Sequence, residues 1–444
     1  MKKKLLLLLL IITSLLIALY FYRYKSVNII KNHFPENTKA VVSINLRQLE
    51  NKIFWDVLSN PSLYLSSKPK KKSNNDAPKS KKSFNFFKNV TIPKNIQFYS
   101  QKEDLDEWYS SIITIKKNIN LEQFLIDKGF VQEKSNSNFN VFRKKAIAVI
   151  INSNKVILSI LPENNTITLK NLFLTKKLVN AKSKIIKKLK SNKNDLLFVS
   201  DNEMIKLNFL NGEIDFGGNM NLDFLSSQKN SISPTSTLTF NCNINKESDF
   251  IKKAIQAINK TKFTKLAQLN FDTIYKHWNG TMQFNLKEFT TKIDNIKTYE
   301  YDDDFNQTEV TSTQKIAIPS FDLSLNTTKN LLPYFKQQNT ITDIENKTIF
   351  KQIPLIETQI IATDSLLSLF STTKSKAIKT ETLSKLFIQF SAFSYRKYTK
   401  GTIYHISNTE KIDYFNFAIS KNDNIYGTVK MMGKSRNSFA QLIK

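Results

Sequence analysis

Cysteine occurs once in the 444 residues, at Cys242. No disulfide can form within the chain, so the fold has to rest on its core alone. The same scarcity excludes a lipid-modified cysteine behind the N-terminal apolar run. Glycine is nearly as scarce. There are 8, of which only Gly217 and Gly218 are adjacent, so no loop can cradle a phosphate with backbone amides, and no nucleophile elbow or kinase motif occurs. The 3 histidines, His33, His277 and His405, stand in no metal-ligand spacing; His33 and Glu36 are close in sequence, but no third ligand joins them. No cofactor or metal is expected. Arginine is the fourth shortage. Of 66 basic residues only Arg23, Arg47, Arg143, Arg396 and Arg436 are arginine, and the rest are lysine. The net charge of +29 attracts polyanions, but phosphate and base recognition favours the bidentate guanidinium, so nucleic acid is not the expected partner. A Lys-, Asn- and Ile-rich composition fits an AT-rich coding sequence.

What the chain does have is a long apolar run near its start. Leu5 to Tyr22 carries no charge and passes through Leu10 and Leu15, behind Lys2, Lys3 and Lys4. At about 1.5 Å per residue, such a helix reaches roughly 27 Å, the thickness of a bilayer core. Tyr20, Tyr22 and Tyr24 close it like an interfacial belt, with Arg23 and Lys25 beside them. A cleaved signal peptide would end in small residues rather than Tyr-Phe-Tyr-Arg-Tyr-Lys, so the run reads as an uncleaved single-pass anchor. The three leading lysines favour a cytoplasmic N-terminus and a body outside the cytoplasm, in a bacterial periplasm.

Beyond the anchor, 1–25, the length predicts two domains, and 41% hydrophobic residues suffice for packed cores. A serine-rich joint, Ser226 to Ser236, divides the rest into 26–230 and 231–444. A Lys/Ser-rich insertion at 66–83, with seven lysines and one acid, reads as a solvated loop. A recurring unit is visible: a short apolar strand, a polar joint, then an amphipathic helix. It occurs at 39–59 (Leu49, Ile53, Phe54 and Val57 on one face), 108–128, 236–259, 321–337 and 424–443. Hairpins fill the intervals, around Asn152-Ser153-Asn154, Asn211-Gly212 and Lys421 to Asn424. Thr308 to Ile318 reads as one more strand. Together these predict an α+β fold of antiparallel sheets with helices packed on one face.

Two segments carry a family likeness. Phe34-Pro35-Glu36-Asn37-Thr38-Lys39-Ala40-Val41-Val42-Ser43-Ile44-Asn45-Leu46 resembles the opening of uncharacterised bacterial envelope proteins that are membrane-anchored or lipoprotein-like. His277-Trp278-Asn279-Gly280-Thr281-Met282-Gln283-Phe284 is similar to their mid-chain helix, turn and strand. The resemblance implies an envelope location and supplies no catalytic residue.

The remaining candidates are clusters of charge. Glu300, Asp302, Asp303, Asp304 and Glu309 form the densest acidic patch, but a calcium loop counted from Asp302 has Gln307 and Thr313 where its Gly and Glu belong. Lys176 to Lys193 predicts a helix with Leu178, Ala181, Ile185 and Leu189 along one stripe; its Lys184, Lys187 and Lys188 are candidates for contact with an anionic surface. The expected function is binding or scaffolding without catalysis, with envelope proteins, anionic lipid or cell-wall polymer as partners. The alternatives are an exported hydrolase whose carboxylate site assembles in space and a binder of anionic polymer or lipid through its lysines.

Overall fold

The computed structural model describes residues 38–65, 94–101, 109–115, 121–133, 139–152, 155–160, 184–232, 236–259, 269–301, 305–353, 356–371, 380–399 and 410–443. The anchor residues Leu5, Leu10, Leu15 and Tyr22 and the insertion 66–83 lie outside them. Among the described residues no helix is long and apolar enough to cross a membrane. The body is α+β and its sheets are antiparallel throughout. It divides into two compact units, one of residues up to Phe209 with Ile443 and the other Leu210–Leu442. The run 226–236, which the sequence suggests is a joint, contains a strand.

In the first unit, β1 (Ala40–Ile44) lies between β2 (Ile96–Ser100) and β8 (Leu196–Ser200), in register Val41↔Tyr99 and Val41↔Val199. The other strands are β3 (Tyr109–Thr114), β4 (Val131–Glu133), β5 (Asn140–Lys144), β6 (Ile147–Asn152), β7 (Lys155–Ile160) and β9 (Met204–Leu210). The order across the sheet is β9-β8-β1-β2-β3-β7-β6-β5-β4. Three helices of the unit interrupt this series: α1 (Leu46–Ser59), α3 (Leu121–Asp127) and α4 (Lys184–Lys190); the short α2 (Pro61–Leu65) follows α1.

Each helix begins or ends where the side chains dictate. Asn45 caps α1 by accepting from the Gln48 N–H at 3.1 Å and donating to the Gln48 side chain at 3.0 Å. Gly129, at φ +81°, turns the chain out of α3, and the Phe130 N–H closes on the Leu125 carbonyl at 3.0 Å.

The helices of this unit do not share one face, contrary to the sequence expectation. Ile185, Ile186 and Leu189 of α4 pack with Val141, Ala148, Ile150 and Ile157, whereas Leu121 and Leu125 of α3 pack with Phe142, Val149, Ile151 and Val156. Neighbouring residues of a strand point to opposite sides, so these two cores lie on opposite faces. The cause is in β6 and β7, which are apolar at successive positions instead of alternate ones. They need cover on both sides.

The second unit contains β10 (Glu213–Asn219), β11 (Gln228–Ile232), β12 (Leu238–Asn243), β13 (Trp278–Tyr301), β14 (Gln307–Thr327), β15 (Ile341–Ile344), β16 (Lys347–Phe350), β17 (Thr358–Ala362), β18 (Leu366–Phe370), β19 (Thr380–Ser391), β20 (Ile412–Ser420) and β21 (Asn424–Met431). Its helices are α5 (Asp249–Asn259), α6 (Phe271–His277), α7 (Leu331–Gln337), α8 (Ala392–Thr399) and α9 (Ser438–Ile443). Leu331 and Phe335 of α7 are buried with Ile341, Phe350, Ile360, Leu367 and Leu369.

The strand order here is β20-β19-β12-β13-β14-β18-β17-β16-β15, with β21 and then β10 beyond β20. Strand for strand, this repeats the connectivity of the first unit: β12 takes the place of β1, β13 and β14 those of β2 and β3, and β19 that of β8. The helices repeat too. α3 and α7 each follow the third strand of the series, each bury two residues four apart, and each end on a left-handed residue, Gly129 or Asn339 (φ +52°). Thr340 N–H closes on the Phe335 carbonyl at 3.1 Å, as Phe130 does on Leu125. The strand–joint–helix units legible at 39–59, 108–128, 236–259 and 321–337 are the corresponding halves of one duplicated plan.

Candidate functional site

Lys184, Lys187 and Lys188 lie on α4, whose buried stripe is Ile185, Ile186 and Leu189. Lys184 and Lys187 are exposed. Lys188 is half-buried, and its ammonium donates to the carbonyls of Ser200 and Asp201 at 3.1 Å and of Glu203 at 3.4 Å. It ties α4 to the turn after β8, which leaves its charge committed to the fold.

His277 ends α6, with Nδ1 2.9 Å from the Thr328 hydroxyl. His33, His405 and the acidic residues Asp302, Asp303 and Asp304 lie outside the described residues. Among those described, no group of acids, histidines and cysteine is placed to hold a metal ion. Cys242 is buried, and burial pushes its thiol up to about 11, opposed by a hydrogen bond from the Met282 backbone. Burial likewise raises the Tyr99 hydroxyl above its ordinary range.

Two arrangements were not anticipated from sequence. The first is a charge pair inside the first unit. Asp195 precedes β8 and its side chain has 0% exposure. Its Oδ2 accepts from Lys52 Nζ on α1 at 2.5 Å and from the Phe209 N–H at 2.6 Å, while Lys52 also reaches the Phe209 carbonyl at 2.7 Å. Asp56 is also turned inward, its Oδ2 accepting from the Tyr64 hydroxyl at 2.5 Å, so charged residues share the inward side of α1 with Leu49 and the half-buried Ile53 and Val57. Leu49 is buried, while Phe54, Trp55 and Leu58 face solvent. The signal was the i, i+4 spacing of Lys52 and Asp56. Its partner Asp195 lies 143 residues away and could not be read off the chain.

The second is an arm. Met282–Leu286 of β13 lies between β12 and β14, and Asp322–Asn326 of β14 lies against β18. Past an irregularity at Leu286/Phe289, the two strands pair, among the described residues, only with each other, through thirteen rungs from Phe289↔Pro319 to Tyr301↔Gln307. At about 3.3 Å per residue, the ribbon runs on for roughly 40 Å. Lys287 and Asp322 form a 2.7 Å ion pair at its base, and Lys297 and Glu309 form a 2.6 Å pair along it. Ile293, Tyr299, Tyr301 and Phe305 are exposed. Among the described residues the corresponding strands of the first unit, β2 and β3, are short and show no such extension. The sequence marks Thr308 to Ile318 as a strand, but the polar, Thr-rich composition of the ribbon hides its length.

No family model matches the chain, and no curated protein matches it. Among solved structures, crystal form IV of TP0453 matches at 9% identity over 77% of this chain and 92% of that one, with a TM-score of 0.23. Crystal form III matches at 10% identity over 76% and 92%, with a TM-score of 0.22. Likeness at this level establishes neither a shared fold nor a shared role.

Proposed function

We propose that the chain is a non-enzymatic, single-pass membrane-anchored protein of a bacterial envelope, whose duplicated α+β body works by binding or scaffolding outside the cytoplasm. The observation that carries this reading is the uncharged run Leu5–Tyr22, led by three lysines and closed by tyrosines. The family likeness at 34–46 supports the same location. Fusing a reporter active only outside the cytoplasm after Lys444 tests it. The expected result is an active reporter in a membrane fraction that resists alkaline extraction. An inactive reporter on an intact fusion, or a freely soluble chain, overturns it.

A second reading, contact with an anionic surface, draws support from the exposure of Lys184 and Lys187 on the outer side of α4. Changing both to Glu should weaken binding to anionic vesicles several-fold at low salt, with the difference fading as salt screens the charges. Equal binding by the variant removes α4 from the account.

A further inference from the structure

We propose that the β13–β14 arm pairs with the arm of a second copy of this chain, β14 against β14, antiparallel about a two-fold axis at Ser312. A two-stranded ribbon alone in water is marginally stable, and its free edges are templates for pairing. Among the described residues no strand lies along the outer edge of β14 between Gln307 and Pro319. The two edges of the arm differ. Between Phe289 and Tyr301 the sequence of β13 has four charged residues, Lys292, Asp294, Lys297 and Glu300, of the kind that discourage pairing. β14 offers Val310-Thr311-Ser312-Thr313-Gln314, uncharged, free of proline and rich in strand formers.

The register follows from charge. Between Gln307 and Pro319, β14 has only two charged residues, Glu309 and Lys315. With Ser312 on the axis, the acidic position 309 of each copy stands opposite the basic position 315 of the other. Any shift takes position 309 out of line with position 315 of the other copy, and a one-residue slip also turns the edge to its other face. The result is a four-stranded sheet joined through one self-complementary edge, the closed arrangement expected of a two-fold dimer.

The test uses the full chain in mild detergent. At the axis, facing Cα atoms lie about 4.5–5.5 Å apart, within reach of a disulfide. Ser312→Cys should therefore give a disulfide-linked dimer under a mild oxidant. Asn295→Cys, on the outer strand, and the unaltered chain with its buried Cys242 should stay monomeric. Adding Glu309→Lys to Ser312→Cys should lower the dimer yield about tenfold by setting like charges opposite each other. Adding Lys315→Glu as well should restore it. The Lys297–Glu309 pair within the arm is lost in both variants, so restoration reports the second copy. Monomeric Ser312→Cys with Cys242 still protected, equal crosslinking at Asn295→Cys, or indifference to Glu309→Lys overturns the proposal. So does a fluorophore at position 312 that shifts on adding lipid vesicles while no dimer forms.

Discussion

Removing Lys52 should expose how the first unit is held together. Lys52→Met takes away the cation on a carboxylate that has 0% side-chain exposure; among the described residues Oδ2 of Asp195 then keeps the Phe209 N–H. Stranding one member of a buried pair costs about 3–5 kcal/mol. The double variant Lys52→Met, Asp195→Asn removes both charges but keeps an oxygen for the Phe209 amide, so it should cost only about 1 kcal/mol, the scale of one exchanged hydrogen bond. With a urea dependence of about 2 kcal/mol per M, the single variant should unfold about 2 M earlier than the parent and the double variant about 0.5 M earlier. Circular dichroism follows the transition, and hydrogen exchange in peptides spanning β8 and β9 assigns the loss to this unit. A single variant that shifts the midpoint by less than about 0.5 M would refute the reasoning, because a stranded buried charge cannot be that cheap. So would a double variant no milder than the single one.

Three further outcomes follow from the geometry. Gly280 sits at φ +89°, and a Cβ there would lie 2.3 Å from the Ile244 carbonyl oxygen, so Gly280→Ala should destabilise the second unit by about 2 kcal/mol or more in urea unfolding. Gly129 and Asn339 occupy matching helix ends with positive φ: Gly129→Ala should cost about 1 kcal/mol and Asn339→Gly nothing or a small gain, and the opposite ranking would break the equivalence of the two ends. Burial raises the Cys242 thiol from its ordinary 9.0 to about 11, so its contribution to stability is complete below pH 9 and is lost as pH rises towards 11; the Cys242→Ser variant should show a shallower decline over that window in thermal melts.

Much of the architecture is legible in the chain because local signals agree with it. The strand–joint–helix units at 39–59 and 236–259 carry strong alternation, a polar cap and helical periodicity, and both appear where expected. The helix at Lys184–Lys190 shows the Ile185 and Leu189 part of the stripe expected over Lys176 to Lys193, while Leu178 and Ala181 lie outside the described residues. Other features depend on distant partners. The second face of β6 and β7 is visible only once α3 and α4 are placed. The inward turn of Lys52 depends on Asp195. The four short strands from Ile341 to Phe370 lack the contrast that marks a strand in isolation, and their counterparts in the first unit reveal them. The duplication itself is hidden because the two halves share positions and connections while keeping few residues in common. Lys188 shows the same gap at a single site: its place in a basic stripe is plain, but its three carbonyl partners follow it by 12 to 15 residues, across a strand and a turn.

The central position of β1 has a consequence for how the protein is made. Ala40 lies opposite Ser200, and Leu238 in the same way opposite Phe390, partners made much later than the strands they complete. Neither half can close until its penultimate strand has been synthesised, and contacts so distant in sequence form slowly. Short hairpins such as β6–β7 can pair as soon as they are made, so each half holds its middle strands before the strand that completes it arrives.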